Sequence, residues 1–347
     1  MDTTTATDDP EVVDRPNSVD RPNAAATERA ADHGDPPAPS PGSVDAVLAV
    51  DVDGARFSAG LVTARGELID RARVDVDPDA GPESHYTGVA AVSSEMLEAA
   101  ERRGGTRVVA VGVGVDGPLD DLDAVSPASL PAWRDFPLRR RLVELTGLAV
   151  FGDVDAKVLA LAEGWQGAAQ GHTNFCAITV GTTVGSGIVL DDDLLDGGAG
   201  AGNIGHVTVV PGGRRCRCGA QGCLDAEASG LAIEAITGRP PSEPTYEIMQ
   251  RTGRLVGRAA ASVCNALDLS LVVVGGSVAA GFAATFFHAA QTELDERATQ
   301  PYSSGARITP SRLGETGPLV GAGAIGWRGA RRALRKRSPA GQPPSMR

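Results

Sequence analysis

The sequence is poor in lysine and cysteine, and it lacks the segments that direct a chain out of the cell. Lysine occurs only at Lys157 and Lys336 among 32 basic residues, a scarcity that genomic base composition explains. Five cysteines are too few for a secreted domain held together by disulfides. The N-terminus has neither a basic start nor an apolar stretch, so we expect a cytoplasmic protein without a secretory signal.

One uncharged run, residues 269–287, is long enough to span a bilayer. Gly275, Gly276 and Ser277 lie at its middle, and small residues follow them. This pattern indicates a strand, a glycine turn and a helix better than a membrane span. No contact with a membrane is therefore expected.

The formal net charge of −12 argues against a dedicated nucleic-acid binder. Residues 1–45 hold ten acidic residues and three arginines, whereas 328–347 hold seven basic residues and no acid. The first segment is rich in Pro, Asp, Thr and Ala without apolar periodicity, so we predict that 1–45 is disordered. A basic disordered tail is predicted over 330–347, where the charge indicates a solvated helix end rather than a nucleic-acid contact.

Between these segments, one pattern of strands, glycine turns and helices occurs twice. Each half begins with short apolar strands joined by a glycine turn, and units of a strand and a helix follow. We predict a duplicated α/β architecture with a cleft between an N-terminal lobe, 46–152, and a C-terminal lobe, 153–329, whose last helix can return to the first lobe. The predicted helices are 88–103, 137–146, 155–163, 246–267 and 282–298, and 196–230 is predicted to be a long loop.

The most specific motif is a cluster of one histidine and three cysteines. Cys216, Cys218 and Cys223 lie within eight residues, and His206 lies ten residues before the first of them. Such a set is typical of a structural zinc site, and the glycines between the cysteines let the chain wrap closely around an ion. Unpaired buried thiols are the alternative. Because the protein supplies all four ligands, we expect zinc to organise the loop rather than to catalyse.

Two glycine-rich turns between strands, one in each half, favour nucleotide binding. The first reads DVDGAR over 51–56, and the second reads GTTVGSG over 181–187. Backbone N–H groups in such turns can hold phosphates, and the hydroxyls of Thr182 and Thr183 can add hydrogen bonds. Asp51, at a strand end, is a candidate ligand of Mg2+. Either turn alone is more often only a hairpin.

Together these motifs resemble the ROK family of sugar kinases and repressors over about 47–329. The resemblance is carried by DVDGARFSAG (51–60), LPAWRDFPL (130–138), DVDAKVLALAE (153–163), the turn 181–187, GNIGH (202–206), the cysteine cluster with CLD (223–225) and VGGS (274–277). It implies an α/β protein with the actin-like ATPase (ribonuclease H-like) fold, in which two lobes close on ATP and a sugar. It also implies a homodimer or a higher homo-oligomer.

The resemblance also implies roles for individual residues. Asp155 matches the catalytic aspartate, which would accept the proton of a sugar hydroxyl as that hydroxyl attacks the γ-phosphate of ATP. Without the resemblance, an aspartate before a helix is a simple N-cap. His206 would bind zinc and contact the sugar through its other ring nitrogen, with Asn203 and Asp225 as further sugar contacts. The positions implied to serve ATP are Asp51, Gly54, Thr182, Thr183, Gly185, Gly275 and Gly276.

Several residues depart from the family pattern at the site itself. In the first turn, Asp53 and Ala55 replace a glycine and a threonine, and a carboxylate near a triphosphate is repulsive unless a metal screens it. In the second turn, Thr183 replaces a glycine. The altered positions of the sugar site are Val154, Asn203 and Asp225, where the family has Asn, Glu and Glu. Each such loss of a hydrogen bond to the substrate costs about 1–3 kcal/mol.

Lys157 replaces an asparagine of the family two residues after Asp155. Such a lysine is either an ordinary residue of the helix surface or a new cation near the sugar or the phosphate.

Three hypotheses follow. The first is an ATP-dependent kinase of a hexose or amino-sugar that uses Mg2+ and structural zinc. The second is a pseudokinase, a sugar-binding or regulatory protein that has lost efficient phosphoryl transfer through the departures. The third is a repressor of the same family, which needs a DNA-binding domain that residues 1–44 are too short, too acidic and too rich in proline to supply. A small-molecule sugar is the expected partner, and no nucleic acid is expected.

Overall fold

The computed structural model describes residues 44–337 apart from 118, 120, 121, 197 and 199. The predicted disordered segments therefore lie largely outside the described residues, over 1–43 and 338–347. At both borders, order extends further than the sequence indicated. The first strand begins at Val44, and the last helix continues to Arg337, so the prediction of a disordered tail is wrong for 330–337.

A five-stranded sheet forms the first half of the fold. Its strands are β1 (Val44–Val52), β2 (Arg56–Thr63), β3 (Leu68–Asp75), β4 (Thr106–Val115) and β5 (Val150–Val154), in the order β3-β2-β1-β4-β5. The first three strands are antiparallel because short turns join them, whereas β1, β4 and β5 are parallel. Helix α1 (Pro82–Arg102) connects β3 to β4, and α2 (Leu138–Thr146) connects β4 to β5.

A second five-stranded sheet repeats the antiparallel and parallel pairing of the first. Its strands are β6 (Phe175–Val180), β7 (Val184–Leu190), β8 (Asp193–Leu194), β9 (Leu271–Gly275) and β10 (Arg307–Pro310), in the order β10-β9-β6-β7-β8. Strand β6 is antiparallel to β7 and parallel to β9, as β1 is antiparallel to β2 and parallel to β4. The remaining helices are α3 (Asp155–Gln166), α4 (Leu224–Ala228), α5 (Gly230–Thr237), α6 (Tyr246–Leu267), α7 (Ser277–Arg297) and α8 (Gly317–Arg337).

Helix α8 returns to the first sheet. It packs on β1, β2, β4 and β5 and on α3, and its Leu319 and Ala322 are buried with Ala49 and Val62. The approach to β4 is so close that a Cβ on Gly112 would lie 1.8 Å from the Ala322 carbonyl oxygen. This packing requires glycine on the strand, and it places α3 and α8 between the two sheets.

Three predicted elements differ from the structure. Helix α1 begins at Pro82, six residues earlier than predicted, because proline suits the first helical position and His85 and Tyr86 add a buried first turn. Helix α7 begins at Ser277, directly after the glycine turn, and Ala283 (φ 47°) distorts it near the predicted start at 282. The predicted loop 196–230 contains α4.

Among the described residues, no helix combines the length and apolar character needed to cross a membrane.

Candidate functional site

Three aspartates meet at the carboxyl edge of the first sheet. Asp51 lies near the end of β1, Asp116 follows β4 directly, and Asp155 follows β5 as the first residue of α3. The register pairs Val52 with Val115 and Val115 with Val154, so these strand ends are level with one another. Neighbouring parallel strands are about 4.8 Å apart, and the three carboxyl groups therefore share one small region.

The half-buried Asp155 has a strongly perturbed carboxyl group. Burial is the main cause that raises its pKa to about 7, and the negative charges of Asp116 and Asp53 raise it further. The backbone N–H of Ala156 donates to Asp155 Oδ1 at 2.7 Å and opposes part of this rise. Near neutral pH the carboxyl group is therefore present in both its protonated and its ionised form.

Asp51 is perturbed in the same direction. Burial raises its pKa to about 8, with further contributions from the charges of Asp53 and Asp155, and Arg56 opposes the rise. The negative charges of Asp51, Asp53 and Asp155 therefore outnumber the single positive charge of Arg56 beside them. A divalent cation would relieve that repulsion, and carboxylate oxygens are the donors that Mg2+ prefers.

The first glycine turn joins β1 to β2 and is held by its own aspartate. Asp53 Oδ1 accepts the backbone N–H of Ala55 at 2.7 Å. Gly54 packs against the segment after β4, and a Cβ added to it would lie 2.2 Å from the Ser129 carbonyl oxygen. The family's threonine hydroxyl is absent from this turn, and the Asp53 carboxylate provides a local hydrogen bond there.

The second glycine turn joins β6 to β7 and lies beside Asp155. A Cβ added to Gly185 would come within 3.8 Å of Asp155 Oδ1 and 3.0 Å of the Ala156 Cβ. The Thr183 hydroxyl donates to Asp116 Oδ1 at 3.2 Å, which links the turn to the first sheet. The turn and the carboxylates thus form one site, with residues from both sheets.

Two helix N-termini converge on the same turn. The Gly181 carbonyl accepts from Gly230 N at 2.7 Å, and the Thr182 carbonyl accepts from Leu231 N at 3.3 Å, so α5 begins against the turn. Ser277, the first residue of α7, lies close to Gly181. A Cβ added to Gly181 would be 3.6 Å from the Ser277 Oγ. The first two N–H groups of α5 are thus bonded to the turn itself, whereas the N-terminus of α7 beside Gly181 is of the kind that attracts anions such as phosphate.

The turn before α7 requires glycine. Gly276 has φ 96°, and a Cβ on it would lie 2.5 Å from the Val180 carbonyl oxygen. Gly275 ends β9 and packs against Leu159 and Ser311. The predicted ATP-binding residues of the second half, Thr182, Thr183, Gly185, Gly275 and Gly276, therefore surround one strand edge.

Asn203 and His206 lie at the two ends of a short 3-10 turn. Asn203 Oδ1 accepts the Gly205 N–H at 3.0 Å and so caps this turn. The buried Ser186 holds the same segment, since its hydroxyl donates to the Gly202 carbonyl at 2.5 Å and accepts the Ile204 N–H at 2.6 Å. The turn is thereby fixed on β7, close to Gly185.

Asp225 is largely committed to the protein itself. Its Oδ1 accepts the Val184 N–H at 2.8 Å, and Oδ2 lies 3.7 Å from the Arg217 guanidinium. The side chain is buried, and it holds the start of β7 against α4. Any contact between Asp225 and a sugar would therefore use the oxygen that faces Arg217.

His206, Cys216, Cys218 and Cys223 come together as the spacing predicted, with their ligand atoms all within 4.8 Å of one another. Cys216 Sγ and His206 Nδ1 are 3.5 Å apart, and the Sγ atoms of Cys218 and Cys223 are 3.6 Å apart. Tetrahedral zinc has Zn–S distances near 2.3 Å and Zn–N distances near 2.1 Å. It therefore requires about 3.8 Å between two sulfur ligands and about 3.6 Å between a sulfur and a nitrogen ligand. The four side chains fit zinc, and His206 Nδ1 faces the cluster.

A buried acid that the sequence analysis missed supports the cysteine loop. Glu227 on α4 accepts the Arg214 N–H at 2.6 Å and forms a close ion pair with Arg251 on α6. The Gly222 carbonyl accepts the N–H groups of Val209 and Val210 and closes the other side of the loop. No signal in the sequence pointed to Glu227, because its partners lie 13 and 24 residues away.

Lys157 is buried rather than exposed on the helix surface. Its side chain is 2% exposed, its ammonium group lies 3.5 Å from Asp153 Oδ1, and it donates to the Gly198 carbonyl at 3.2 Å. Side chains two positions apart on a helix point in nearly opposite directions, so Lys157 points away from Asp155. Of the two alternatives for Lys157, the surface lysine is therefore wrong, and its contacts are with the end of β5 and the loop at 198.

Asp116 is the main cleft residue that the sequence analysis missed. It accepts the Ser129 N–H at 2.8 Å through Oδ2 as well as the Thr183 hydroxyl. Burial raises its pKa, and these hydrogen bonds oppose the rise. Its position directly after a buried strand that pairs with β1 was a signal that could have found it.

The duplicated sheets, the glycine turns and the helix that returns to the first sheet form the actin-like ATPase fold, as the resemblance implied. A ROK hexokinase from Thermus thermophilus has a TM-score of 0.71 at 32% identity, over 82% of this chain and 99% of that one. A ROK family glucokinase from Streptomyces griseus, solved with glucose and AMPPNP, has a TM-score of 0.67 at 27% identity over the same shares. The fold is thus the one found in these sugar kinases.

The sequence comparisons agree. A model of the ROK family matches residues 47–328. A glucokinase of Halalkalibacterium halodurans is 29% identical over 80% of this chain and 93% of that protein. An N-acetylmannosamine kinase of Escherichia fergusonii is 33% identical over 67% of this chain and 82% of that protein. The chain belongs to the ROK family, and these relatives support an ATP-dependent sugar kinase.

Proposed function

We propose that the protein transfers the γ-phosphate of ATP to a hydroxyl of a hexose or amino-sugar, with Asp155 as the general base. The observation that carries this is the position of a carboxyl group of pKa about 7 beside Gly185 of the second glycine turn. A sugar hydroxyl is a weak nucleophile, and a carboxylate within hydrogen-bond reach accepts its proton as the bond to phosphorus forms. The kinase relatives support the same reaction class.

The nucleotide would lie between the two glycine turns. Backbone N–H groups around Gly54 and Thr182 would bind phosphate oxygens, helped by the N-terminus of α7. Gly185 leaves space between this region and Asp155. Gly275 and Gly276 would bring the α7 end close to the adenosine.

Asp51 is the residue that would hold Mg2+, with Asp53 adding negative charge next to it. Their mutual repulsion, which helps to raise the pKa of Asp51, fits a bound divalent cation. Bound Mg2+ supplies neutralisation of phosphate charge in phosphoryl transfer. The cation would also offset the repulsion between Asp53 and the triphosphate.

Zinc would be held by His206 Nδ1, Cys216, Cys218 and Cys223. With four protein ligands, its contribution is to fix the loop and the imidazole. His206 Nε2 would then remain free to bind a sugar hydroxyl. Asn203 and the outer oxygen of Asp225 would complete the sugar contacts, and the protein would act in the cytoplasm as a homodimer or higher homo-oligomer.

A catalytically impaired, sugar-binding or regulatory protein is the second candidate. Thr183 favours this candidate for two reasons. Its hydroxyl is hydrogen-bonded to Asp116, and its side chain occupies a position where the family has glycine. Asp53 and the loss of an amide at Val154 point the same way. On this alternative the sugar binds, but phosphate transfer is slow or absent.

An ADP-release screen over hexoses, amino-sugars and their N-acetyl forms separates the two candidates. The kinase proposal expects one sugar class to release ADP with a saturable rate, and Asp155→Asn to lower kcat by about 10²–10⁴-fold while the sugar still binds. Zinc measured on the same sample is expected at one ion per chain. Sugar binding by calorimetry without any ADP release would instead support the regulatory candidate, and full turnover by Asp155→Asn would refute the role of the base.

A further inference from the structure

Asp116 joins two segments that belong to different sheets. Its Oδ2 accepts the backbone N–H of Ser129, in the segment after β4, at 2.8 Å. Its Oδ1 accepts the hydroxyl of Thr183, in the turn between β6 and β7, at 3.2 Å. Both oxygens of one carboxylate are thus occupied by donors from opposite sides of the cleft.

Asp116 and the turn that contains Thr183 both lie beside the proposed base. Val115 pairs with Val154, so Asp116 and Asp155 occupy equivalent positions at neighbouring strand ends. On the other side, Gly185 lies two residues after Thr183 and packs against Asp155 and Ala156. A shift of the Thr183 turn would therefore move the nucleotide-binding backbone relative to the Asp155 carboxylate.

The same turn has a second anchor from behind. Asp225 accepts the Val184 N–H at 2.8 Å, and its other oxygen faces Arg217 of the cysteine loop. The turn is therefore held by Asp116 at Thr183 and by Asp225 at Val184. Of these two anchors, the Asp116 contact is the one that crosses to the first sheet, and it ties the turn to the end of β4.

We propose that Asp116 is a positioning residue for phosphoryl transfer, which acts by holding the Thr183 turn at a fixed distance from Asp155. The proposal rests on the kinase function proposed above. It assigns a role to Thr183, which replaces a family glycine. The Thr183 hydroxyl connects the second glycine turn to Asp116 at the edge of the first sheet. The contribution lies in the two hydrogen bonds and their geometry rather than in the charge of Asp116.

Four variants separate hydrogen bonding from charge. Asp116→Ala removes both acceptors, and Thr183→Val removes the hydroxyl with little change of shape. Asp116→Asn removes the charge but can keep both bonds, since its amide oxygen accepts from Ser129 and its amide nitrogen donates to Thr183. Thr183→Ser keeps the hydroxyl. The matched control is Thr292→Val, an exposed threonine on α7 whose hydroxyl bonds only to its own helix.

The assay is steady-state turnover at pH 8 with the sugar identified by the ADP-release screen. We expect Asp116→Ala and Thr183→Val each to lower kcat about tenfold, the effect of one net hydrogen bond. The double variant should lose no more than either single variant, because both remove the same link. Asp116→Asn and Thr183→Ser should recover most of the lost kcat, and Thr292→Val should match the unaltered protein.

Two outcomes would overturn the proposal. Multiplicative losses in the double variant would mean that Asp116 and Thr183 act independently, and an Asp116→Asn variant as slow as Asp116→Ala would mean that charge is what matters. Thermal melting of each variant checks that the folded protein is being assayed. If the unaltered protein releases no ADP with any sugar, the kinase function itself has failed, which is a different result from a kinase that is indifferent to Asp116.

Discussion

Lowering the pH from 8 to 6 should reduce kcat/KM for the sugar about tenfold. The reason is the pKa of Asp155, which burial and the charges of Asp116 and Asp53 raise to about 7. A general base works only when ionised, and activity is therefore lost as the pH falls through this pKa. With a pKa of 7, about 90% of the group is ionised at pH 8 and about 10% at pH 6.

The measurement is kcat/KM for the sugar at half-unit pH steps, with Mg2+ and ATP saturating at every step. Protonation of Asp51 is expected to weaken nucleotide binding. Saturating Mg2+ and ATP prevent this effect from contributing to the pH profile. An aspartate with the ordinary pKa of 3.8 would be almost fully ionised over this range and would give a flat profile. A change of less than about twofold between pH 6 and pH 8 would refute the reasoning.

A charge variant tests the cause of the shift. Asp53→Asn removes a negative neighbour of Asp155, so the pKa of Asp155 should fall and the acid side of the profile should move to lower pH. Asp295→Asn, an exposed change on α7, should leave the profile where it is. An Asp53→Asn profile that moves to higher pH would contradict the electrostatic account.

Three further predictions concern metal and stability. Cys223→Ser should lower the bound zinc, measured by mass spectrometry, well below one ion per chain. Cys176→Ala, away from the cluster, should retain its zinc. Equal zinc in both variants would contradict the ligand assignment. Lys157→Met should lower the free energy of unfolding by about 3 kcal/mol, because it leaves Asp153 without its cation. Adding Asp153→Asn should restore part of this loss in a urea titration. Additive losses of the two changes would count against the pairing. Asp51→Asn should raise the melting temperature at pH 8 without divalent cations. A carboxylate whose pKa rises from 3.8 to about 8 on folding destabilises the folded protein progressively as the pH rises from 3.8 to about 8, so the gain should vanish near pH 4.

Local patterns in the sequence were sufficient for much of the fold. The apolar strands and the glycine turns of both halves correspond to β1, β2, β6 and β7, and the actin-like ATPase fold is confirmed. The boundaries were less predictable. Helix α8 extends to Arg337 because its apolar face packs on the first sheet, and a basic C-terminal composition does not show that contact.

The candidate site was predictable where its chemistry is local. His206 and the three cysteines lie within 18 consecutive residues, and loop closure over so short a distance brings their ligand atoms together. Asp155 was found by its resemblance to a family motif, whereas the glycine turns were found by their own pattern between strands. Their proposed roles in catalysis and nucleotide binding remain predictions.

The sequence by itself determined the parts that depend on short-range pattern: the alternation of strands and turns, the Cys3His set and the aspartate that begins α3. Only the tertiary structure decided that Asp116 meets Thr183 from 67 residues away, that Lys157 is buried against Asp153, and that the pKa of Asp155 is about 7. The physical reason is that burial and charge proximity are properties of packing. They arise when distant strand ends are brought to one edge, and no single stretch of the chain contains them.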